Sequence, residues 1–129
     1  RLGLSETILV FKQHTDFFGG LANFLKTIPQ LCAKAKETKI IIEAESLAEA
    51  VQIAKAGADV VQVDKMNPDE LTSLVKELRT INPIIKISAA GGINETNIAQ
   101  YAATGVDIIV LSSVYFGKPA DMSVRIIPA

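Results

Sequence analysis

Two carboxylates, a glycine pair and a serine pair are the groups of this 129-residue chain whose types and spacing could do chemistry. Glu43 closes the β-rich run Ile40-Ile41-Ile42, and Asp64 closes Val60-Val61-Gln62-Val63. Carboxylates at the ends of neighbouring strands can hold the hydroxyls of a sugar or a hard cation such as Mg²⁺. Gly91-Gly92 follows Ala89-Ala90 and precedes a helical stretch starting near Asn94. Unblocked backbone amides at such a turn, together with a helix N-terminus, favour an anion, so a phosphate is expected at Gly91-Gly92. Ser112-Ser113 follows the next strand and offers a second small polar turn for the same phosphate. Taken singly, the glycines read as a plain turn and the carboxylates as solvated loop residues; their coincidence at strand ends moves the balance toward a site. His14 is the only histidine and follows the first strand. Without a histidine or cysteine partner it is no metal site, and a surface or capping role is expected. Lys65, beside Asp64, could meet a phosphate or carboxylate, although an exposed lysine is the ordinary outcome at a loop start.

The elements that must position these groups alternate regularly. Strands are predicted over residues 6–11, 40–42, 60–63, 84–87 and 108–111, and helical spacing occurs over 21–36, 47–56, 68–78 and 94–103. Pro29 is expected to kink or divide the first helix. Ser46 with Glu49 three residues on forms a capping box, Asn67-Pro68 opens the next helix, and Gly57 and Gly105 close helices in left-handed geometry. The blocks Ala54-Lys55-Ala56-Gly57-Ala58-Asp59 and Ala102-Ala103-Thr104-Gly105-Val106-Asp107 are near-repeats, each ending a helix and entering a strand. Strands separated by single helices belong in a parallel α/β sheet whose ligands bind beyond the carboxyl ends of the strands. Periodicity alone leaves a βα-barrel and a doubly wound open sheet equally open.

Composition narrows the partners. Thirteen basic against fourteen acidic residues give a net charge of −1 with no long block of either sign, so neither nucleic acid nor a membrane surface is an expected partner. No apolar run approaches the ~18 residues of a membrane-spanning helix. The single cysteine, Cys32, cannot form an internal disulfide; a packed thiol in a cytoplasmic protein is expected. The chain begins with Arg1 immediately before its first strand, from which we expect that it derives from a longer protein.

Several motifs together resemble one family. They are Arg1-Leu2-Gly3-Leu4, Glu43 with Glu45-Ser46-Leu47, Ala56-Gly57-Ala58-Asp59, Asp64, Gly91-Gly92-Ile93, Asn97-Ile98, Tyr101 through Asp107, and Pro119-Ala120. Over residues 1–126 the chain resembles the C-terminal part of quinolinate phosphoribosyltransferases (nicotinate-nucleotide pyrophosphorylases), and most of all their ModD-type branch. The resemblance implies a TIM-like barrel, incomplete here, with residues 1–129 its C-terminal portion and the N-terminal domain and first strands absent. It also implies transfer of the phosphoribosyl group of phosphoribosyl pyrophosphate to a ring nitrogen of a small heterocycle. Mg²⁺ would help the pyrophosphate leave, and the transition state would have oxocarbenium character. Carried over, Glu43 and Asp64 would hold the ribose hydroxyls or the metal, and Ala90, Gly91, Gly92, Ser112 and Ser113 the 5′-phosphate. Arg1 would face the acceptor's acid group, with Phe11, His14 and Lys65 near the acceptor.

Departures from the family pattern redirect part of this. Phe11 stands where quinolinate enzymes carry a lysine, Lys65 where an asparagine is usual, Ala90 for a serine, Ser112 for a glycine and Phe116 for a histidine. Lys12 is one residue along, and strand alternation would turn it to the other face. With one cation fewer, a dicarboxylate is poorly compensated, so the acceptor is not expected to be quinolinate. The alternative is a non-catalytic accessory protein linked to molybdate transport that binds a phosphate, nucleotide or oxyanion. The isolated chain is expected to be inactive and to associate through open barrel edges, the intact protein being a homo-oligomer.

Overall fold

Apolar residues two apart on each strand, answered by apolar residues three and four apart on each helix, fold into one sheet covered by helices. The computed structural model describes residues 6–120 and 122–127. Its five strands are β1 (Thr7–Val10), β2 (Lys39–Ala44), β3 (Val60–Asp64), β4 (Lys86–Ala90) and β5 (Ile108–Ile109). All neighbouring pairs are parallel and the spatial order is β1-β2-β3-β4-β5. That order separates the two architectures the periodicity left open. A doubly wound sheet reverses its strand order at a switch point, whereas here every crossover steps the same way, as in a βα-barrel. The fold is therefore α/β, a parallel succession of barrel-type units.

Six helices connect the strands: α1 (Lys12–Asp16), α2 (Leu21–Leu25), α3 (Ile28–Lys34), α4 (Leu47–Ala56), α5 (Pro68–Ile81) and α6 (Ile98–Ala103). The core lies between sheet and helices, where Ile40, Ile42, Val61, Val63, Ile87 and Ala89 meet Ala50, Ile53, Leu71, Leu74 and Leu78. Strand parity then turns Glu43, Gln62, Asp64, Ser88 and Ala90 to the opposite face of the sheet. Caps set the helix starts: Ser46 Oγ accepts from Glu49 N–H at 3.2 Å, and Asn67 Oδ1 from Glu70 N–H at 3.0 Å. The Glu49 carboxylate reaches back one residue further than a capping box requires, to Glu45 N–H at 2.8 Å. Gly57 closes α4 with φ 84°, and Gly105 follows α6 with φ 87°.

Several boundaries differ from expectation. Pro29 does divide the first helical stretch, with α2 ending at Leu25 and α3 opening with Pro29 in its first turn. The first strand stops at Val10, and Phe11 is instead the N-cap of the short helix α1. The alternation argument against Lys12 therefore does not apply, because Lys12 lies on a helix. The fourth strand starts at Lys86 rather than Ile84, which is 85% exposed within the Pro83-Ile84 turn that Ile85 N–H closes onto Asn82 O. Cys32 packs partly buried against the core as a free thiol.

The amino ends of the strands are held by a device that the two near-repeats share. Asp59, entering β3, accepts from Lys39 Nζ at 2.6 Å and from the Ile40 N–H at 3.0 Å, clamping the start of β2. Asp107, entering β5, accepts from Lys86 Nζ at 3.0 Å, the Ile87 N–H at 2.9 Å and Arg79 Nη2 at 2.7 Å, clamping the start of β4. Burial pushes the Asp59 carboxyl up, but the Lys39 hydrogen bond, the Ile40 amide and the Lys39 charge outweigh it and leave it below the ordinary value. For Asp107, burial is likewise outweighed by the Ile87 amide, Lys86 and Arg79.

Candidate functional site at the carboxyl ends of the strands

Residues at or just beyond the carboxyl ends of β2 to β5 line one cleft of about 470 Å³. Glu43 and Gln62 come from within β2 and β3, and Asp64 and Ala90 end β3 and β4. The turn Gly91-Gly92-Ile93-Asn94 forms one wall, and Val110, Ser112 and Ser113 after β5 form the other. The candidate carboxylates, glycine turn and serine pair thus face a common hollow at the end of the sheet where parallel α/β folds place ligands.

The two glycines do different work. Gly91 has φ 86°, and a Cβ there would run into Asp64 Oδ1, with Lys65 Cγ only 2.6 Å and Lys65 N 2.9 Å away. Its missing side chain is what lets the β4 turn lie against the end of β3. Gly92 has φ 71° and nothing within 4 Å of a built Cβ, so its backbone borders open space in the cleft. The expected helix N-terminus is not at this turn. Asn94 and Asn97 form their own hydrogen-bonded loop: Asn97 Oδ1 accepts from Asn94 N–H at 2.8 Å, and Asn94 Oδ1 from Thr96 N–H at 2.9 Å. The helix α6 consequently begins at Ile98, and the anion argument rests on the glycine backbone without help from a helix dipole. Ser112 caps a single 3₁₀ turn, Ser113–Tyr115, that presents the serine pair to the cleft.

Asp64 and Glu43 have different neighbours. Lys65 Nζ lies 3.5 Å from Asp64 Oδ2 with its side chain 78% exposed, a pair that water screens strongly. Lys65 is also the one non-glycine residue at positive φ (56°) among those described, fixed by its N–H donating to Ala90 O at 2.8 Å. Glu43 Oε2 accepts from Gln62 Nε2 at 3.1 Å. Gln62 is buried and its role escaped the sequence reading. The signal was present: a polar residue inside an apolar run, at the parity of Asp64.

Phe11 and His14 are not brought to the cleft wall. The Phe11 N–H donates to His14 Nδ1 at 2.9 Å and the rings stack at 6.0 Å, so His14 caps α1. Arg1 lies outside the described residues. Lys12 borders a smaller hollow of about 190 Å³ that shares Glu43 with the main cleft and includes Glu45 and Glu49. Its ammonium donates to Glu45 Oε2 at 2.8 Å, and that hydrogen bond and charge hold Lys12 above the ordinary lysine value. Among the described residues, no helix is long and apolar enough to cross a membrane and no three His, Cys, Asp or Glu side chains are grouped as a metal cage.

Comparison with known proteins gives the chain's family and fold. Residues 1–125 match the family model described as quinolinate phosphoribosyl transferase, C-terminal domain. The chain is 34% identical over 126 residues to the ModD protein of Pasteurella multocida, covering 98% of this chain and 45% of the relative. It is 36% identical over 127 residues to the carboxylating nicotinate-nucleotide pyrophosphorylase of Rattus norvegicus, covering 98% of this chain and 42% of the relative. Among solved structures, the nicotinate-nucleotide pyrophosphorylase from Francisella tularensis superposes with a TM-score of 0.74 at 25% identity, covering 88% of this chain and 39% of that one. The thiamine phosphate pyrophosphorylase from Pyrococcus furiosus shares the fold, with a TM-score of 0.66 at 23% identity over 88% of this chain and 52% of that one. The chain spans less than half the length of the curated relatives named here.

Proposed function

The chain belongs to the C-terminal domain family of quinolinate phosphoribosyl transferases, and we propose that it carries the phosphoribosyl-binding half of an active site. The reaction is transfer from phosphoribosyl pyrophosphate to a ring nitrogen of a heterocycle. One observation carries this reading: Glu43 and Asp64 face the Gly91-Gly92 and Ser112-Ser113 turns across a single cleft. The carboxylates accept from the ribose hydroxyls, and their charge stabilises the cationic character that develops at the anomeric carbon. The 5′-phosphate takes backbone amides at Gly92 and hydroxyls at Ser112 and Ser113. The remaining strands of the barrel, and the rest of the acceptor site, come from a part of the protein outside these residues. The cytoplasm is its proposed compartment.

The donor set suits Mg²⁺ only in part. Two carboxylates without a third ligand match a cation shared with substrate oxygens rather than one caged by protein. Glu43 and Asp64 are the residues that would hold it, and when bound with pyrophosphate it would neutralise charge on the leaving group.

The acceptor is a flat ring other than quinolinate. No lysine or arginine is among the described residues lining the cleft, so two acceptor carboxylates would meet Glu43 and Asp64 with little compensation. Beside the cleft, a more apolar hollow of about 860 Å³ shares Asn94 and Ser113 and is lined by Ile98, Leu111, Val114 and Phe116, surfaces suited to an aromatic ring. The test is to incubate full-length protein with phosphoribosyl pyrophosphate, Mg²⁺ and a panel of ring carboxylates and bases. Pyrophosphate release that a Glu43→Ala/Asp64→Ala double variant lacks is expected. Release no greater than that variant's, with tight calorimetric binding of a nucleotide or molybdate, would establish the accessory-protein reading instead.

A further inference from the structure

Glu43 borders two hollows and has a polar group to turn to in each. On the side of the main cleft it meets Gln62, whose Nε2 donates to Oε2 at 3.1 Å. On the other side lies the smaller hollow with Lys12, whose ammonium is engaged by Glu45 at 2.8 Å. A bare carboxylate between an amide and an ammonium would favour the ammonium, because a charged pair attracts over a longer range. What opposes that swing is the fixed position of Gln62.

Gln62 is well fixed. It is 8% exposed, flanked by Val61 and Val63 that pack into the core, and paired in register with Glu43 on one side and Ser88 on the other. A carboxylate oxygen only accepts, so the Gln62 amide must present its NH₂ to Glu43, and its carbonyl turns the other way. On that other side Ser88, 2% exposed, has a hydroxyl without a protein partner among the described residues. A carboxylate, an amide and a hydroxyl therefore form a polar row across β2, β3 and β4 beneath the cleft. An apolar side chain at residue 62 would pack with less desolvation cost, which makes the amide an expense that packing does not explain.

We propose that Gln62 is a positioning residue: it holds the Glu43 carboxylate in the main cleft, with its second oxygen turned to the ligand, and away from Lys12. The proposal rests on the reading of Glu43 as a ribose-binding group. The experiment is calorimetric titration of phosphoribosyl pyrophosphate with Mg²⁺ into full-length protein and its variants. Gln62→Met removes the donor while keeping the side chain's length, and affinity is expected to fall about tenfold, the size of one hydrogen bond to a charged group. Adding Lys12→Met to that variant removes the competing attractor and is expected to restore at least threefold of the loss, whereas Lys12→Met alone leaves affinity unchanged. Simple loosening of the sheet would not be repaired from residue 12. Should Gln62→Met fail to fold, Gln62→Leu also removes the donor without adding a charge and serves with the same second-site change. If Glu43→Gln weakens binding and neither Gln62 variant does, or if Lys12→Met rescues nothing, the positioning role is wrong. If Glu43→Gln has no effect on binding, the ribose-binding reading is wrong.

Discussion

The two adjacent glycines of the β4 turn should respond to alanine very differently. Both have positive φ, 86° at Gly91 and 71° at Gly92, so alanine at either costs about 1–2 kcal/mol in backbone strain. At Gly92 the cost ends there, since a Cβ has nothing within 4 Å. At Gly91 the Cβ meets Asp64 Oδ1, and Lys65 Cγ and N lie at 2.6 and 2.9 Å. A side-chain tip can move aside, but the Lys65 nitrogen is backbone and also donates to Ala90 O at 2.8 Å. Separating the ends of β3 and β4 to make room adds overpacking strain of about 1–3 kcal/mol. Gly91→Ala is thus expected to be less stable than Gly92→Ala by about that added 1–3 kcal/mol. Urea unfolding followed by circular dichroism measures the difference. Gly91→Ala should also weaken phosphoribosyl pyrophosphate binding through Asp64, whereas Gly92→Ala acts only where ligand approaches the backbone. Equal stabilities for the two variants, within about 0.5 kcal/mol, would refute the assignment of Gly91 to close strand packing.

Asp107→Asn should destabilise by about 1 kcal/mol at neutral pH: the amide oxygen still accepts from the Ile87 N–H, but the charge facing Arg79 and Lys86 is lost and the NH₂ group meets a cation, in pairs that are partly exposed and screened by water. The folded Asp107 carboxyl lies below its ordinary value of 3.8. Its stabilisation is therefore present above about that pH and lost as pH falls through the folded value, so the urea midpoints of variant and parent should approach each other as the pH is lowered below 3.8. Tyr101→Phe should cost about 1 kcal/mol in thermal unfolding, since the largely buried hydroxyl donates to Met66 O at 3.1 Å and ties α6 to the loop after Asp64.

Much of the site could be read from residue types because strand ends are marked by a change in polarity. Glu43 and Asp64 each appear where an apolar run stops, and a parallel sheet brings such stops to one edge. The parity of Gln62 with Asp64 was equally visible, but its meaning depends on the β2–β3 register, which pairs it with Glu43 and is a tertiary fact. The start of α6 differs from expectation because Asn94 and Asn97 favour helix and side-chain-capped loop alike, and the loop wins by five hydrogen bonds that Asn94 and Asn97 side chains make with Asn94 N–H, Thr96 and Gly92. The strand at 84–87 was shifted because two apolar isoleucines follow Pro83, and apolarity alone cannot show that the turn leaves Ile84 facing solvent. Helix α1 is too short to carry a period, so Phe11 read as the last residue of a strand.

Two pairs of carboxylates at opposite ends of this sheet have contrasting partners. Asp59 and Asp107, at the amino ends, each bind a main-chain N–H and at least one cation, so their charge is neutralised within the fold. Glu43 and Asp64, at the carboxyl ends, have an uncharged amide and a loosely paired, solvent-screened lysine at 3.5 Å. Negative charge left uncompensated at the mouth of a cleft is costly to a fold that has no use for it. It becomes useful when a ligand brings hydroxyl donors, a cation, or a centre that turns positive in the transition state. The same sheet thus uses two acids to hold the starts of strands, where Lys39 and Lys86 open the adjacent strands, and leaves two at its carboxyl ends without a comparably held cation.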